Sequence, residues 1–217
     1  MKKAKLFDIR KLPMDMARLV CWPLLPWYRM QRLTPEGAPY RGTLHGPAII
    51  AANHTDFEDP FLVGVAFWYR RMYFLAAEAV MAGKKLRKKL LQGAGVIEID
   101  RTIADIEAIR KAVKVLKEGH LLAIFPEGGI QEGGDVQAVK GGCILMAVQA
   151  DVPIIPMHIQ PKEKWYRRRR VVIGTPICPK DYFTKKFPTT ADLDRAADAL
   201  MAEMNRCGGK LTQEETV

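Results

Sequence analysis

The chain has 217 residues, 48% of them hydrophobic and 27% charged, which is enough apolar material for one globular core and too much for a disordered polymer. Its 34 Lys and Arg against 24 Asp and Glu give a formal charge of +10, which points to an anionic partner: membrane surface, phosphorylated metabolite, acidic protein or nucleic acid. Serine is absent from the whole sequence, so a serine nucleophile and the G-x-S-x-G elbow are excluded.

Residues 1–33 carry eight basic and two acidic side chains, with Trp22, Trp27 and Tyr28 set among prolines and leucines and flanked by Arg18, Arg29 and Arg32. That is the composition of an interfacial anchor, and a helical, membrane-associating segment is expected here; a helix and loop packed on the core is the competing reading. Asp15, Arg18, Pro23 and Pro26 break the apolar stretch, which argues against a signal peptide. The turn formers from Thr34 to Pro39 open the main domain, taken as 34–207, and 208–217 read as a flexible tail.

Short apolar runs then alternate with helical patterns, the signature of an α/β fold with a largely parallel sheet flanked by helices. The first expected strand, 48–52, is followed by Asn53, His54, Thr55, Asp56, Phe57, Glu58, Asp59 and Pro60. Strands at 72–76 and 96–99 come next, the second followed by Asp100 and Arg101. A helix over 103–117 presents Ile103, Ile106, Ile109, Val113 and Leu116 on one face, with Gly119 placed to end it. Thr102 to Asp105 resemble a capping box at its start. After a strand at 121–125 comes Pro126-Glu127-Gly128-Gly129, and Lys140 lies in a helical pattern over 136–150. Strands at 152–157 and 171–173 and a helix over 191–205 complete the series.

In an open parallel sheet the carboxyl ends of the strands share one edge, so the segments around His54, Arg101 and Glu127 are expected to converge there. A carboxylate from Asp59 beside the His54 ring fixes its tautomer and leaves the other nitrogen as a general base. With no serine and no cysteine nearby in sequence, that base activates a hydroxyl of the substrate itself, and transfer is direct. Arg101 before a helix start suits a phosphate. Glu127 suits a polyol hydroxyl, Gly128 lets backbone approach a ligand, and Lys140 adds a second positive contact. One histidine among the carboxylates, without a partner motif, argues against a metal.

These residues resemble the glycerolipid O-acyltransferases of the 1-acylglycerol-3-phosphate acyltransferase type. The blocks that carry the resemblance are N-H-x-x-x-x-D at 53–59, G-x-x-x-x-D-R at 95–101, F-P-E-G at 125–128 and V-P-I-I-P at 152–156. The resemblance implies an enzyme with no bound cofactor, with His54 as base, Asp59 as its orienter, and Arg101 and Glu127 on the acceptor. It implies transfer of a fatty acyl group from acyl-CoA or acyl-ACP to a lysophospholipid or glycerol phosphate, with an acyl carrier protein as a possible partner. Gly129, Ile130 and Gln131 stand where the family usually has Thr-Arg-Ser, which shifts a phosphate contact to Lys140 or the basic cluster at 162–170. Asp56 stands where serine is common.

The charge excess is local: +6 in residues 1–33, +5 in 84–89 and +5 in 162–170, so the rest of the chain carries −6. By themselves 84–89 and Arg167 to Arg170 read as solvated faces. With the amino-terminal aromatics they fit a peripheral enzyme at the inner, cytoplasmic face of the cell membrane, and four cysteines without metal or redox spacing agree with that compartment. The rival is a non-catalytic basic domain for anionic membrane or nucleic acid; no nucleic-acid module is recognisable, and no nucleic acid is expected as partner. His45, His120 and His158 are expected to be structural, and Cys143 buried.

Overall fold

The computed structural model describes residues 15–16, 30–77, 85–100, 105–126, 141–161, 169–184 and 188–213. Seven strands form one sheet: β1 (Gln31–Leu33), β2 (Ala48–Ala52), β3 (Met72–Ala77), β4 (Val96–Ile99), β5 (Leu121–Ile124), β6 (Ile154–Ile159) and β7 (Arg170–Ile173), in the order β1-β7-β6-β2-β5-β3-β4. β6, β2, β5, β3 and β4 run parallel; β7 is antiparallel to β6, and β1 is parallel to β7. The helices are α1 (Asp59–Ala66), α2 (Lys85–Gly93), α3 (Ile106–Lys117), α4 (Gly142–Ala150) and α5 (Thr190–Gln213). This is the expected α/β architecture.

The period-2 geometry of the central strands divides the core into two layers. In β2, Ile49 and Ala51 join Leu122, Ile124 and Ile154 against α3, α4 and α5, through Ala112, Leu116, Ile144, Leu200 and Met204. Ala48, Ile50 and Ala52 face the other way, with Leu121, Ile155 and Met157, and meet Leu62, Val63 and Phe67 at α1. Burial on both faces explains why these strands read as unbroken apolar runs.

Several boundaries differ from expectation. β1 lies inside the segment taken as interfacial, so the sheet begins before residue 34; its Gln-Arg-Leu sequence carries no strand signal, and it forms because β7 offers an open edge. β6 starts at Ile154, because Val152 turns off α4 with its N–H on Ala147 O (3.1 Å). α3 starts at Ile106 with Asp105 as its cap: one carboxylate oxygen accepts from Ala108 N–H (2.9 Å) and the other from Asp100 N–H (3.1 Å). Gly119, at φ 90°, ends the helix as expected. Residues 208–213, expected as a tail, continue α5. Gly208 would ordinarily weaken a helix, but a Cβ there would stand 2.8 Å from the His158 ring, so the missing side chain lets α5 lie close on β6. The helix expected over 136–150 is described from Gly142, and 136–140 lie outside the described residues. No described helix is long and apolar enough to cross a membrane.

The start of α5 is a capping box. Asp192 Oδ2 accepts from the N–H (2.9 Å) and hydroxyl (2.9 Å) of Thr189, while Thr189 Oγ1 accepts from Asp192 N–H (3.3 Å). The Thr189 backbone N–H is the chief cause that holds this buried carboxyl well below the usual carboxylate range. A carboxyl with a depressed folded-state pKa contributes stability that is present above its unfolded value of about 4 and lost as the pH falls. Thermal unfolding of Asp192→Asn is therefore expected to show a lower midpoint than wild type at pH 7 and a shallower decline on acidification from about pH 5. Parallel pH profiles of the two midpoints would remove Asp192 from this role.

Candidate active site

The site is built at the carboxyl end of β2, and its foundation is Asn53. This fully buried amide bonds the backbone of Ile159 at the end of β6 in both directions: Ile159 N–H donates to Oδ1 (2.6 Å) and Nδ2 donates to Ile159 O (3.0 Å). Two parallel strands are thereby tied together one residue before His54, beyond the last ladder pair of Ala52 with Met157.

From Asn53 the chain turns into α1, and the turn is organised by the carboxylate of Asp59, the first residue of that helix. Asp59 is fully buried, and its Oδ2 accepts from the backbone N–H of Thr55 (2.6 Å) and of Asp56 (2.7 Å). The helix amino terminus favours a negative charge there. Oδ2 also meets His54 Nδ1 at 3.2 Å. A carboxylate only accepts, so Nδ1 carries the proton and the lone pair is on Nε2. Phe125, just past the end of β5, stacks on the His54 ring with centroids 4.3 Å apart and planes at 26°. His54 is 16% exposed, enough for a ligand to reach it.

The expected pair of His54 and Asp59 is thus assembled, and the stack with Phe125 brings the F-P-E-G segment beside it. Arg101, Glu127, Gly128 and Lys140 lie outside the described residues. Their flanks are described: Asp100 ends edge strand β4, Pro126 follows Phe125, and Gly141 precedes α4. The V-P-I-I-P segment does not reach the catalytic edge. It opens β6 from the opposite side, with Val152, Ile154 and Ile155 buried in the core. Trp22, Trp27 and Tyr28 also lie outside the described residues; Gln31, at the start of β1, bonds Arg169 O through its N–H (2.8 Å) at the His54 edge.

Sequence reasoning missed Arg169. Read as one of a run of solvated arginines, it is 8% exposed, and its Nη2 lies 3.3 Å from Asp59 Oδ1. Nη1 lies 3.9 Å from Asp56 Oδ2. The signal that would have found it is the antiparallel turn of β7, which carries residue 169 back to the end of β2, and residue pattern does not reveal that pairing. Phe57, in the loop between His54 and Asp59, is 86% exposed.

No group of three metal-binding side chains gathers among the described residues. Burial pushes the Cys143 thiol up to about 12, so it is no nucleophile at neutral pH. Thr55, the one hydroxyl in the loop by sequence, directs its Oγ1 toward Asp59 at 3.5 Å.

An acyltransferase family model matches residues 31–160. In sequence the chain is similar to a 1-acyl-sn-glycerol-3-phosphate acyltransferase of Bacillus subtilis (strain 168), with 25% identity over 170 residues that cover 76% of this chain and 83% of the relative. It is also similar to a protein of the same name from Cocos nucifera, with 30% identity over 171 residues, 74% of this chain and 52% of that one. It therefore spans most of the bacterial relative and about half of the plant one. In structure it is similar to the 1-acyl-sn-glycerophosphate (LPA) acyltransferase PlsC from Thermotoga maritima, at a TM-score of 0.55 and 21% identity, covering 90% of this chain and 81% of that one. That last likeness is one of fold.

The Asn53 clamp yields a stability test. Asn53→Ala leaves two buried backbone groups of Ile159 without these partners, and denaturant unfolding should register a loss of about 1–3 kcal/mol. A change below about 0.5 kcal/mol, the range of ordinary surface substitutions, would mean that the two strands hold together without it.

Proposed function

The chain belongs to the acyltransferase family, and on that premise we propose that it moves a fatty acyl group from the thioester of coenzyme A or of an acyl carrier protein to a hydroxyl of a lysophospholipid or a glycerol phosphate. The observation that carries this reading is the histidine ordered by a buried carboxylate in a loop that supplies no nucleophile of its own. Nε2 of His54 takes the acceptor hydroxyl's proton as that oxygen attacks the thioester carbonyl carbon. The tetrahedral intermediate collapses with cleavage of the C–S bond, and the imidazolium returns its proton to the departing thiolate. Asp59 stabilises the imidazolium between these steps and keeps the ring from turning.

The acceptor's phosphate is assigned to Arg101 with Lys140, and its glycerol hydroxyls to Glu127, with Gly128 leaving room for close approach. What supports this is the position of their described neighbours Asp100 and Pro126 at the carboxyl ends of β4 and β5, on the edge that holds His54. A non-catalytic basic domain would have no use for a buried carboxylate turned onto an imidazole that is mostly covered yet still reached by solvent.

The enzyme works docked on the cytoplasmic leaflet of the cell membrane, with residues 1–33 as the contact. Two observations favour this: β1, which follows the aromatic segment in sequence, begins at the catalytic edge with Gln31, and Phe57 stands exposed on that same edge. A lipid acceptor then reaches His54 without crossing water.

Steady-state assays of His54→Ala should give turnover lower by about 10²–10⁴-fold with the fold intact, and Asp59→Asn a smaller but clear loss. A His54→Ala variant with near-normal turnover would refute the general-base reading. For the membrane contact, full truncation is a poor probe because β1 belongs to the sheet and Asp15 pairs with Arg71 (2.9 Å from Oδ1 to Nε). Replacing Trp22, Trp27 and Tyr28 together by alanine should reduce co-sedimentation with anionic liposomes while sparing turnover of a short, water-soluble acceptor. Salt should weaken the binding, since the attraction is screened beyond about 8 Å at physiological ionic strength. A wild-type protein that ignores anionic liposomes at low salt would overturn the membrane assignment.

A further inference from the structure

Arg169 is poorly explained as a stabilising residue. Its backbone is fixed by the strand pairing around it, with Gln31 N–H on Arg169 O (2.8 Å) and Gln160 N–H on Arg170 O (3.1 Å). Its guanidinium is more than nine-tenths buried, yet only Nη2 has a hydrogen-bond acceptor, Asp59 Oδ1 at 3.3 Å. Among the described residues Nε and Nη1, both buried, have no hydrogen-bond partner, and Nη1 lies 3.9 Å from Asp56 Oδ2. Burying a guanidinium carries a desolvation cost that one hydrogen bond, with two nitrogens unmet, does not offset; apolar side chains in place of both Arg169 and Asp59 would serve the fold at least as well.

The arrangement makes sense from the side of Asp59. Its Oδ2 is occupied by two backbone N–H groups and His54, whereas among the hydrogen bonds described here Oδ1 has Arg169 alone. Without a counter-charge, a carboxylate in this buried place is relieved by a net gain of one proton from solvent, so that its O–H donates to Nδ1 of His54 and the ring's one proton sits on Nε2, or by turning about its own axis. Either event removes the lone pair from Nε2 or misdirects it.

We propose that Arg169 is a positioning residue of the reaction: its guanidinium holds Asp59 as a carboxylate with Oδ2 on His54, and through Asp59 it keeps the proton on Nδ1 and the lone pair on Nε2. The proposal rests on the reading of His54 as the general base. It gives a buried task to one arginine of a run whose composition suggests only a solvated or phosphate-binding surface.

The test is a double-mutant cycle of Arg169→Met and Asp59→Asn, with Arg169→Lys beside it, read as kcat, as KM for donor and for acceptor, and as thermal midpoint. Arg169→Met should lower kcat by about 10–100-fold, leave both KM values within about twofold and lower the midpoint, since it leaves Asp59 buried without its counter-charge. Arg169→Lys should recover part of kcat. In the Asp59→Asn background Arg169→Met should cost less than about threefold more, since the group it acts through is already changed. Multiplying losses, an unchanged kcat, or a midpoint that Arg169→Met leaves unmoved would each overturn the proposal. So would a loss confined to the KM of phosphate-bearing acceptors and absent with neutral ones, which would make Arg169 an anion-binding residue. Activity in His54→Ala would bring down the general-base reading itself; an inactive His54→Ala with multiplying Arg169 and Asp59 losses would bring down the Arg169 role alone.

Discussion

The site depends on the burial of one carboxylate. Asp59 is the point at which a backbone turn, a helix start, an imidazole and a guanidinium meet, and each of those groups would be placed differently without it. A buried anion is costly unless every oxygen is satisfied, so the loop that carries His54 has little choice but to close around it. The Asn53 clamp and the Phe125 stack then fix the other sides, with the result that the imidazole is held by β2, β5 and α1 at once.

The charge distribution takes on a different meaning once the pairs are visible. Two of the basic clusters, and the last helix, have cations engaged in ion pairs. Lys88 bridges α2 to Glu98 of β4 (2.7 Å), Arg169 faces Asp59, and Arg206 of α5 is held by Glu203 (2.7 Å), which keeps its guanidinium firmly charged. The formal +10 already subtracts these acids, so the pairs leave the net charge as it is and decide only which cations stand unpaired for an outside partner.

How much was legible in the sequence follows from where the physics is local. β2 has the expected limits, because a strand buried on both faces is written as an apolar run bounded by polar residues, and β4 has them as a short apolar stretch around Glu98. The pair of His54 and Asp59 was legible because both belong to one turn. β1 was not, since three edge residues need no apolar pattern. The cap of α3 was placed three residues early: a threonine and an aspartate each fit the role, and only the bond from Asp100 decides between them. The extension of α5 past Gly208 depends on a histidine fifty residues away. Arg169 depends on the reversal of one strand. Long-range pairing decided each of these, and no window of sequence contains it.

The turn between His54 and Asp59 bears on how freely the site can vary. Asp59 grips the backbone N–H groups of residues 55 and 56 and makes little use of the side chains between, so the five-residue interval is the constraint and the identity of the residues inside it is nearly free. Proline is the exception at 55 and 56, because it has no N–H to donate. Inserting or deleting a residue there would dismantle the pair of His54 and Asp59, whereas exchanging side chains would leave it standing. Phe57, 86% exposed, is the position whose bulk can be redrawn around an unchanged pair of His54 and Asp59, whereas Asp56 also faces Arg169 Nη1 at 3.9 Å.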